Sequence, residues 1–261
     1  MVRTIGSQLQ KERIPRMLKN NELLLLSKND IPFIEAQVNI HQPTISEISF
    51  ISEENFHIGC QVLTFTKSLL SQKDKSSLAN TSDFEVFMVI MNSPEHAAQR
   101  ECAVQVLTLL FPLCNISIQK DKIILSEISN INENNFKTFQ EIVKTMFDME
   151  SSVDSEQQAE YNPADKFAAK IAEKLKKRQN KLAEQAQATL KKVAIFSRYI
   201  SILSVGEKKD MNELMQYSVY QLKDEMKRFK LKDRFEMYVK AKMAGAQDLE
   251  EVDDWMKDIH L

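Results

Sequence analysis

Glycine is scarce in this chain, and its scarcity limits the possible folds more than any other feature of the sequence. Only 4 glycines occur in 261 residues, whereas average usage is about 7 per cent. Folds built on tight turns and phosphate-binding loops, such as Rossmann and P-loop folds, need many more. The chain is 43% hydrophobic, which is enough for a buried core. These properties predict an α+β, predominantly helical protein.

Charge and polarity divide the chain into two parts. Residues 161–261 contain 21 Lys and Arg and 16 Asp and Glu, a net charge of +5; residues 1–160 contain 14 and 21, a net charge of −7. Between them, residues 151–160 are acidic and almost devoid of large apolar side chains, which is typical of a linker. We therefore predict an N-terminal α+β domain over 1–150, with a few short strands, and a basic, all-helical C-terminal domain over 161–261.

Three short apolar segments bounded by prolines and polar residues predict strands in the N-terminal domain, at 22–26, 33–40 and 45–51. Ser52 is a suitable N-cap for a helix that extends to about residue 70. The Ser93-Pro94 pair separates two further helices, at 83–91 and 95–111.

The rest of this domain shows a hairpin pattern and then a helical one. Segments 116–118 and 122–125 predict the two strands of a β-hairpin. Residues 135–149 follow with a helical period, and five apolar residues form the expected inner face: Phe136, Phe139, Ile142, Val143 and Met146.

The C-terminal domain begins with a basic helix predicted over 161–192. Asn162 is a good N-cap, and Pro163 suits the first helical position. The apolar stripe of this helix is narrow, so the helix needs a partner to pack against: another part of the protein, a second polypeptide or nucleic acid.

Residues 193–205 are apolar on all sides and fit either a buried helix or a strand. Ser218 and Gln221 form a capping-box pattern that opens a helix. The apolar stripe of that helix is Val219, Leu222, Met226 and Phe229. We predict a separate helix over 233–244, ended by Gly245, and a short final helix that contains Trp255.

The sequence contains no signature of catalysis or of a cofactor site. The nucleophile motif GxSxG is absent, and the four histidines are too scattered for a zinc site. Three widely spaced cysteines predict buried, reduced thiols in a cytosolic protein: Cys60, Cys102 and Cys114. Apolar runs are far shorter than the roughly 20 residues of a membrane span. We expect a soluble, non-enzymatic protein without cofactor or metal.

A second basic cluster suggests nucleic-acid binding as an alternative function. Phe229 and Phe235 lie among five cations, and basic residues with aromatics can bind phosphates and stacked bases. The cations are Lys227, Arg228, Lys230, Lys232 and Arg234. Both aromatics fall on predicted inward stripes, and the pI of about 6.2 is low for a dedicated nucleic-acid binder. We therefore favour a core role for the two aromatics and regard nucleic acid as a disfavoured partner.

The C-terminal run MNELMQYSVYQLKDEMKRFKLKDRFEMYVKAKMAGAQDLEEVDDWMKDI resembles the bacteriophage tail assembly chaperones. The runs YNPADKFAAKIAEKL and IHQPTISEISFISEENF are similar to the start of their helical half and to their early strand-and-helix segment. This resemblance implies a non-catalytic protein of the infected host cytoplasm. Such proteins bind the long, helical tape-measure protein while the tail tube polymerises.

Two alternatives to a chaperone remain open: a structural baseplate or tail component of the virion, and a nucleic-acid-binding accessory protein. Self-association is also open. Under the chaperone hypothesis, the partner-binding residues lie on the basic helix and on the helices that follow it. They are Ile171, Leu175, Arg178, Leu182, Phe229, Phe235 and Trp255.

Overall fold

The structure, a computed structural model, describes residues 22–67, 81–149, 195–245 and 256. Within these ranges the chain is mostly α-helical and has two small antiparallel sheets. This architecture confirms the predicted α+β, predominantly helical class. No helix in the described ranges combines the length and the apolar composition that a membrane crossing requires.

The described chain begins with helix α1 (Glu22–Leu26), followed by strands β1 (Ile31–Phe33) and β2 (Val38–Ile40) and helix α2 (Ile45–Ser49). The two strands form a hairpin in which Ile31 pairs with Ile40, and a 3-10 turn over Ile34–Ala36 joins them. The predicted strands at 22–26 and 45–51 are wrong, because both segments are helical. The single strand predicted over 33–40 is interrupted by the 3-10 turn.

Capping and propensity explain why these two segments are helical. Leucine favours helix over strand when nothing else decides, and α1 has the sequence ELLLL. At α2, the Thr44 side chain accepts a hydrogen bond from the Glu47 amide, and the Glu47 carboxylate accepts one from the Thr44 amide. This capping box satisfies two amides that a helix start leaves unpaired. It outweighs the β preference of the isoleucines in this segment.

Helices α3 (Glu53–Leu63), α4 (Asp83–Asn92) and α5 (Ala97–Leu110) confirm the existence of the three helices predicted from caps and periodicity. The predicted end of the first near residue 70 is wrong, because α3 ends at Leu63 with Thr64 as its C-cap. Ser52 caps α3, and Ser93 and Pro94 begin the 3-10 turn that leads into α5. Helix α3 packs against α5 at very short range, because Gly59 has no side chain at the crossing. A Cβ at Gly59 would lie 2.4 Å from the backbone oxygen of Cys102.

The predicted hairpin forms strands β3 (Ser117–Ile118) and β4 (Ile123–Ile124), and β5 (Asn130–Ile131) adds a third strand that we did not predict. Helix α6 (Phe136–Met146) follows. All five residues of its predicted inner face are buried. The rings of Phe136 and Phe139 extend an aromatic cluster towards Phe87 and Phe111.

The C-terminal part contains helices α7 (Ile195–Glu207), α8 (Met211–Met215) and α9 (Val219–Met243). Segment 193–205, left open between helix and strand, thus falls on a helix from Ile195 onward. The separate helix predicted over 233–244 is wrong, because those residues continue α9. As predicted, Gly245 follows the helix end, with a φ of 88° in the left-handed region.

One hydrophobic core joins the two ends of the described chain. Phe196 of α7 packs near Phe56 of α3, with ring centroids 5.9 Å apart, and Leu203, Leu214 and Leu222 are fully buried in the same cluster. The predicted linker and basic helix lie outside the described residues, so the division at 151–160 stays a prediction. Within the described ranges, residues 195–226 complete the core of the N-terminal part.

Candidate protein-interaction surface

Helix α9 is fixed at its beginning by a junction with the N-terminal part. Thr44 and Ser218 form an antiparallel β-bridge, and the Ile45 amide donates to the Tyr217 carbonyl oxygen at 2.9 Å. Ser218 and Gln221 form the predicted capping box of α9. The Gln221 amide group also donates to the carbonyl oxygen of Leu26 at the end of α1. Two capped helix starts therefore lie side by side and orient α9.

Two lysines of α9 bind the carboxyl end of α6. The Lys223 ammonium donates to the carbonyl oxygens of Phe147 (2.8 Å) and Asp148 (3.1 Å), and Lys227 pairs with the Asp148 carboxylate at 2.7 Å. Burial lowers the pKa of Lys223 from its ordinary value, although the charge of Asp148 opposes that shift. Cations at this position complement the negative end of the α6 dipole and its unpaired carbonyls.

Helix α7 covers the next turns of α9. Gly206 faces Phe229, and a Cβ at Gly206 would lie 2.5 Å from the Phe229 ring. Lys232 pairs with Glu207, the last residue of α7, at 3.1 Å. Phe229 is partly buried against the core, in agreement with the core role favoured from its spacing.

Beyond these contacts the character of α9 changes. Its buried residues all lie between Val219 and Met226, and every described residue from 227 to 243 is at least partly exposed. Met237 is 62% exposed and Met243 is 84% exposed. Leu231, Phe235 and Tyr238 are half-buried, at spacings of four and three residues that place them on one side of the helix. We call Leu231, Phe235, Tyr238 and the adjoining Lys242 the outer face.

The outer face lies in a basic environment. Residues 227–243 contain seven Lys and Arg and two Asp and Glu, a net charge of +5. Four of the cations have carboxylate partners in the structure: Lys227, Arg228, Lys232 and Lys240. The Lys242 ammonium lies 5.4 Å from the centroid of the Tyr238 ring, so it forms a cation–π contact within the outer face.

The structure separates the residues that we predicted to bind a partner. Phe229 contributes to the contact with α7, whereas Phe235 is half-buried on the outer face, so the core role favoured for Phe235 stays a prediction. The remaining predicted residues lie outside the described part of the chain and stay predictions: Ile171, Leu175, Arg178, Leu182 and Trp255. Leu231 and Tyr238 were not predicted as partner-binding residues. The predicted helix break at Asp233 placed Leu231 and Phe235 on different helices, so the common spacing of the three residues was not recognised.

Several titratable groups in the described part have structural partners. His41 lies between Asp30 (3.0 Å) and Glu47 (3.3 Å), so both ring nitrogens contact carboxylates of the junction region. No group of three or more His, Cys, Asp or Glu among the described residues is placed to hold a metal ion. The three cysteines are free thiols; Cys60 and Cys102 are buried as predicted, whereas Cys114 is only half-buried. Burial raises the pKa of the Cys60 thiol well above its usual range.

A family model described as the YomV second domain matches residues 186–260. The match covers α7, α8 and α9, which include the outer face, and less than a third of the whole chain. The family is phage-derived, and the match therefore points to a phage-associated protein. Searches among curated proteins and among solved structures find no match.

Proposed function

We propose that this phage-associated protein is a non-catalytic tail morphogenesis factor. Its client is the tape-measure protein or another tail or baseplate subunit, which it binds during assembly in the cytoplasm of the infected host. The observation that supports this proposal best is the outer face of α9. A half-buried apolar strip on a helix anchored at its other end suits the binding of a second polypeptide, which would cover the part of the strip that is still accessible.

The chemistry of the outer face favours helical clients. Leu231, Phe235 and Tyr238 form a strip about two helical turns long, and an amphipathic helix can place its own apolar residues along it. Met237 and Met243 are exposed on the same half of α9, outside the strip. Methionine is flexible and polarizable, so it adapts to different partner side chains. A chaperone that binds successive segments of one long client needs that adaptability.

Copurification from cells that produce the phage tail tests the proposal. We expect affinity-tagged full-length protein to retain a tail or baseplate subunit, identified by mass spectrometry. The double variant Phe235→Ser/Tyr238→Ser should retain at least about tenfold less, because aromatic anchors dominate binding energy at interfaces. Its thermal melt should change little, since neither side chain belongs to the buried core.

The matched control is Leu113→Ser, which alters an apolar residue that is 99% exposed in the N-terminal part. This variant should copurify the same subunit as the unmodified protein. If the unmodified protein retains no tail or baseplate subunit, the proposed function is wrong. If Phe235→Ser/Tyr238→Ser retains as much of the subunit as Leu113→Ser does, the client binds elsewhere on the protein. Presence of the protein in purified mature particles would instead favour a structural role in the virion.

A further inference from the structure

We infer that the segment bound by the outer face is an acidic amphipathic helix. This inference rests on the proposed function and specifies the chemistry of its client. It follows from a comparison of the α9 cations that have a carboxylate partner within the chain with those that do not. Lys227 and Lys232 pair with carboxylates of other elements, and Arg228 and Lys240 pair within α9. Cations without a carboxylate partner are available for a second molecule.

Three cations in 227–243 have no carboxylate partner in the described structure: Lys230, Arg234 and Lys242. Lys230 and Arg234 are exposed and lie four residues apart, so they are neighbours along one edge of the helix. At 100° per residue, Arg234 lies directly beside the strip formed by Leu231, Phe235 and Tyr238. The outer face is therefore an apolar strip with an unpaired basic edge.

An acidic helix fits this surface better than the other candidates. From Leu231 to Lys242 the outer face is about 16 Å long, or about three helical turns. A helix with apolar residues every three or four positions can cover the strip, and Asp or Glu at its flanks can reach Lys230 and Arg234. A second copy of this chain would instead bring like charges together if it docked through the same face.

Nucleic acid is the less suitable partner for this surface. Four of the seven cations in 227–243 already pair with carboxylates of this chain, Glu236 among them, and Asp233 is also exposed on the same half of α9. Phosphate binding requires cations that are free to replace condensed counterions. The apolar strip is also better matched by leucine or methionine side chains than by a phosphate backbone.

Binding of two synthetic peptides to the full chain tests this inference. Both are amphipathic helices of about 14 residues with leucine at helical spacing, one with Glu at the flanking positions and one with Lys. We expect fluorescence anisotropy to show at least about fivefold tighter binding of the Glu peptide, with a preference that weakens as salt is added. The variant Lys230→Glu/Arg234→Glu should reverse the preference. The variant Phe235→Ser/Tyr238→Ser should weaken binding of the Glu peptide.

The matched control is Lys120→Glu/Lys122→Glu, which makes the same change of charge near the β3–β4 turn and should leave the preference unchanged. Equal binding of both peptides, or an effect of the control as large as that of Lys230→Glu/Arg234→Glu, would overturn the inference. So would tighter binding of a DNA duplex than of the Glu peptide. If the peptides show no preference while a tail subunit still copurifies, the proposed function stands and only the acidic-helix inference fails.

Discussion

Glu47 shows how one side chain can connect several local interactions. Its carboxylate accepts hydrogen bonds from the Thr44 amide and hydroxyl, at 2.7 and 2.8 Å, and also contacts His41. Burial alone would raise the pKa of Glu47, but the hydrogen bonds from Thr44 and the contact with His41 outweigh it and hold the pKa below 4.5. The charged carboxylate therefore stabilises the start of α2, next to the bridge that joins Thr44 to Ser218.

This shift predicts a pH-dependent contribution to stability. Because the pKa of Glu47 is lower in the folded state, its stabilising effect is present above pH 4.5 and is lost as the pH falls through the folded-state pKa. Glu47→Gln retains a neutral capping box and should lower the free energy of unfolding by about 0.5 kcal/mol at pH 6. Urea unfolding at several pH values should show this difference vanishing towards pH 3.

The control for this measurement is Glu35→Gln, which changes an exposed carboxylate in the β1–β2 turn. That variant should unfold like the unmodified protein across the whole pH range. A difference for Glu47→Gln that is equally large at pH 6 and at pH 3 would show that the carboxylate charge makes no contribution.

A helix could be predicted from the sequence where its length and its apolar spacing, often with a cap or a proline, indicated the same position. Helices α3 to α5 combine a cap or a proline with apolar spacing, and α6 has regular apolar spacing alone, so their positions could be predicted from sequence. Helices α1 and α2 are five residues long, too short for spacing to decide, and contacts distant in sequence, such as Gln221 with Leu26, add to their local capping and propensity. A separate helix was predicted from residue 233, yet α9 continues through that position, where the contacts of Phe229 and Lys232 with α7 support an unbroken helix.

The crossing of α3 and α5 provides a prediction at the level of elements. Gly59→Ala should lower the free energy of unfolding by about 1 to 2 kcal/mol, because the new Cβ would contact the rigid Cys102 backbone at 2.4 Å. The higher helix propensity of alanine, worth about 1 kcal/mol, offsets only part of this steric cost. Chemical denaturation monitored by circular dichroism measures the difference.

Gln61→Ala is the matched control, since Gln61 lies on the exposed side of the same helix. It should be neutral or slightly stabilising. If Gly59→Ala were as stable as Gln61→Ala, the two helices would have room to move apart, and their close approach would not depend on glycine.

At the scale of the whole molecule, the C-terminal helices support the N-terminal part from several directions. The Phe196 ring packs near Phe56, the Phe196 amide donates to the Glu53 carboxylate at 2.8 Å, and Lys223 binds the carbonyl end of α6. Sequence composition indicated two halves of opposite charge. Composition could not show this shared core, because it does not specify which distant residues an apolar side chain contacts.

A fragment comparison tests how much the N-terminal part depends on this support. Residues 1–150 alone should unfold without a cooperative transition. In this fragment Phe56 and the carbonyl end of α6 would lack their C-terminal partners and would be exposed to solvent. Near-ultraviolet circular dichroism should be weak, although helical signal remains in the far ultraviolet. A melt of the fragment as sharp and as high as that of the full chain would instead confirm two independent domains, as predicted from the charge division.

The uneven anchoring of α9 also affects the dynamics of the protein. The helix is about 38 Å long, and its last turns can unwind without breaking any contact of the buried core. Local opening there requires far less free energy than global unfolding, so the helix tip can exchange between ordered and frayed states while the remainder stays native. Capture of a ligand at this tip would then couple to helix formation, and affinity would depend on residues that favour helicity even where they touch no ligand.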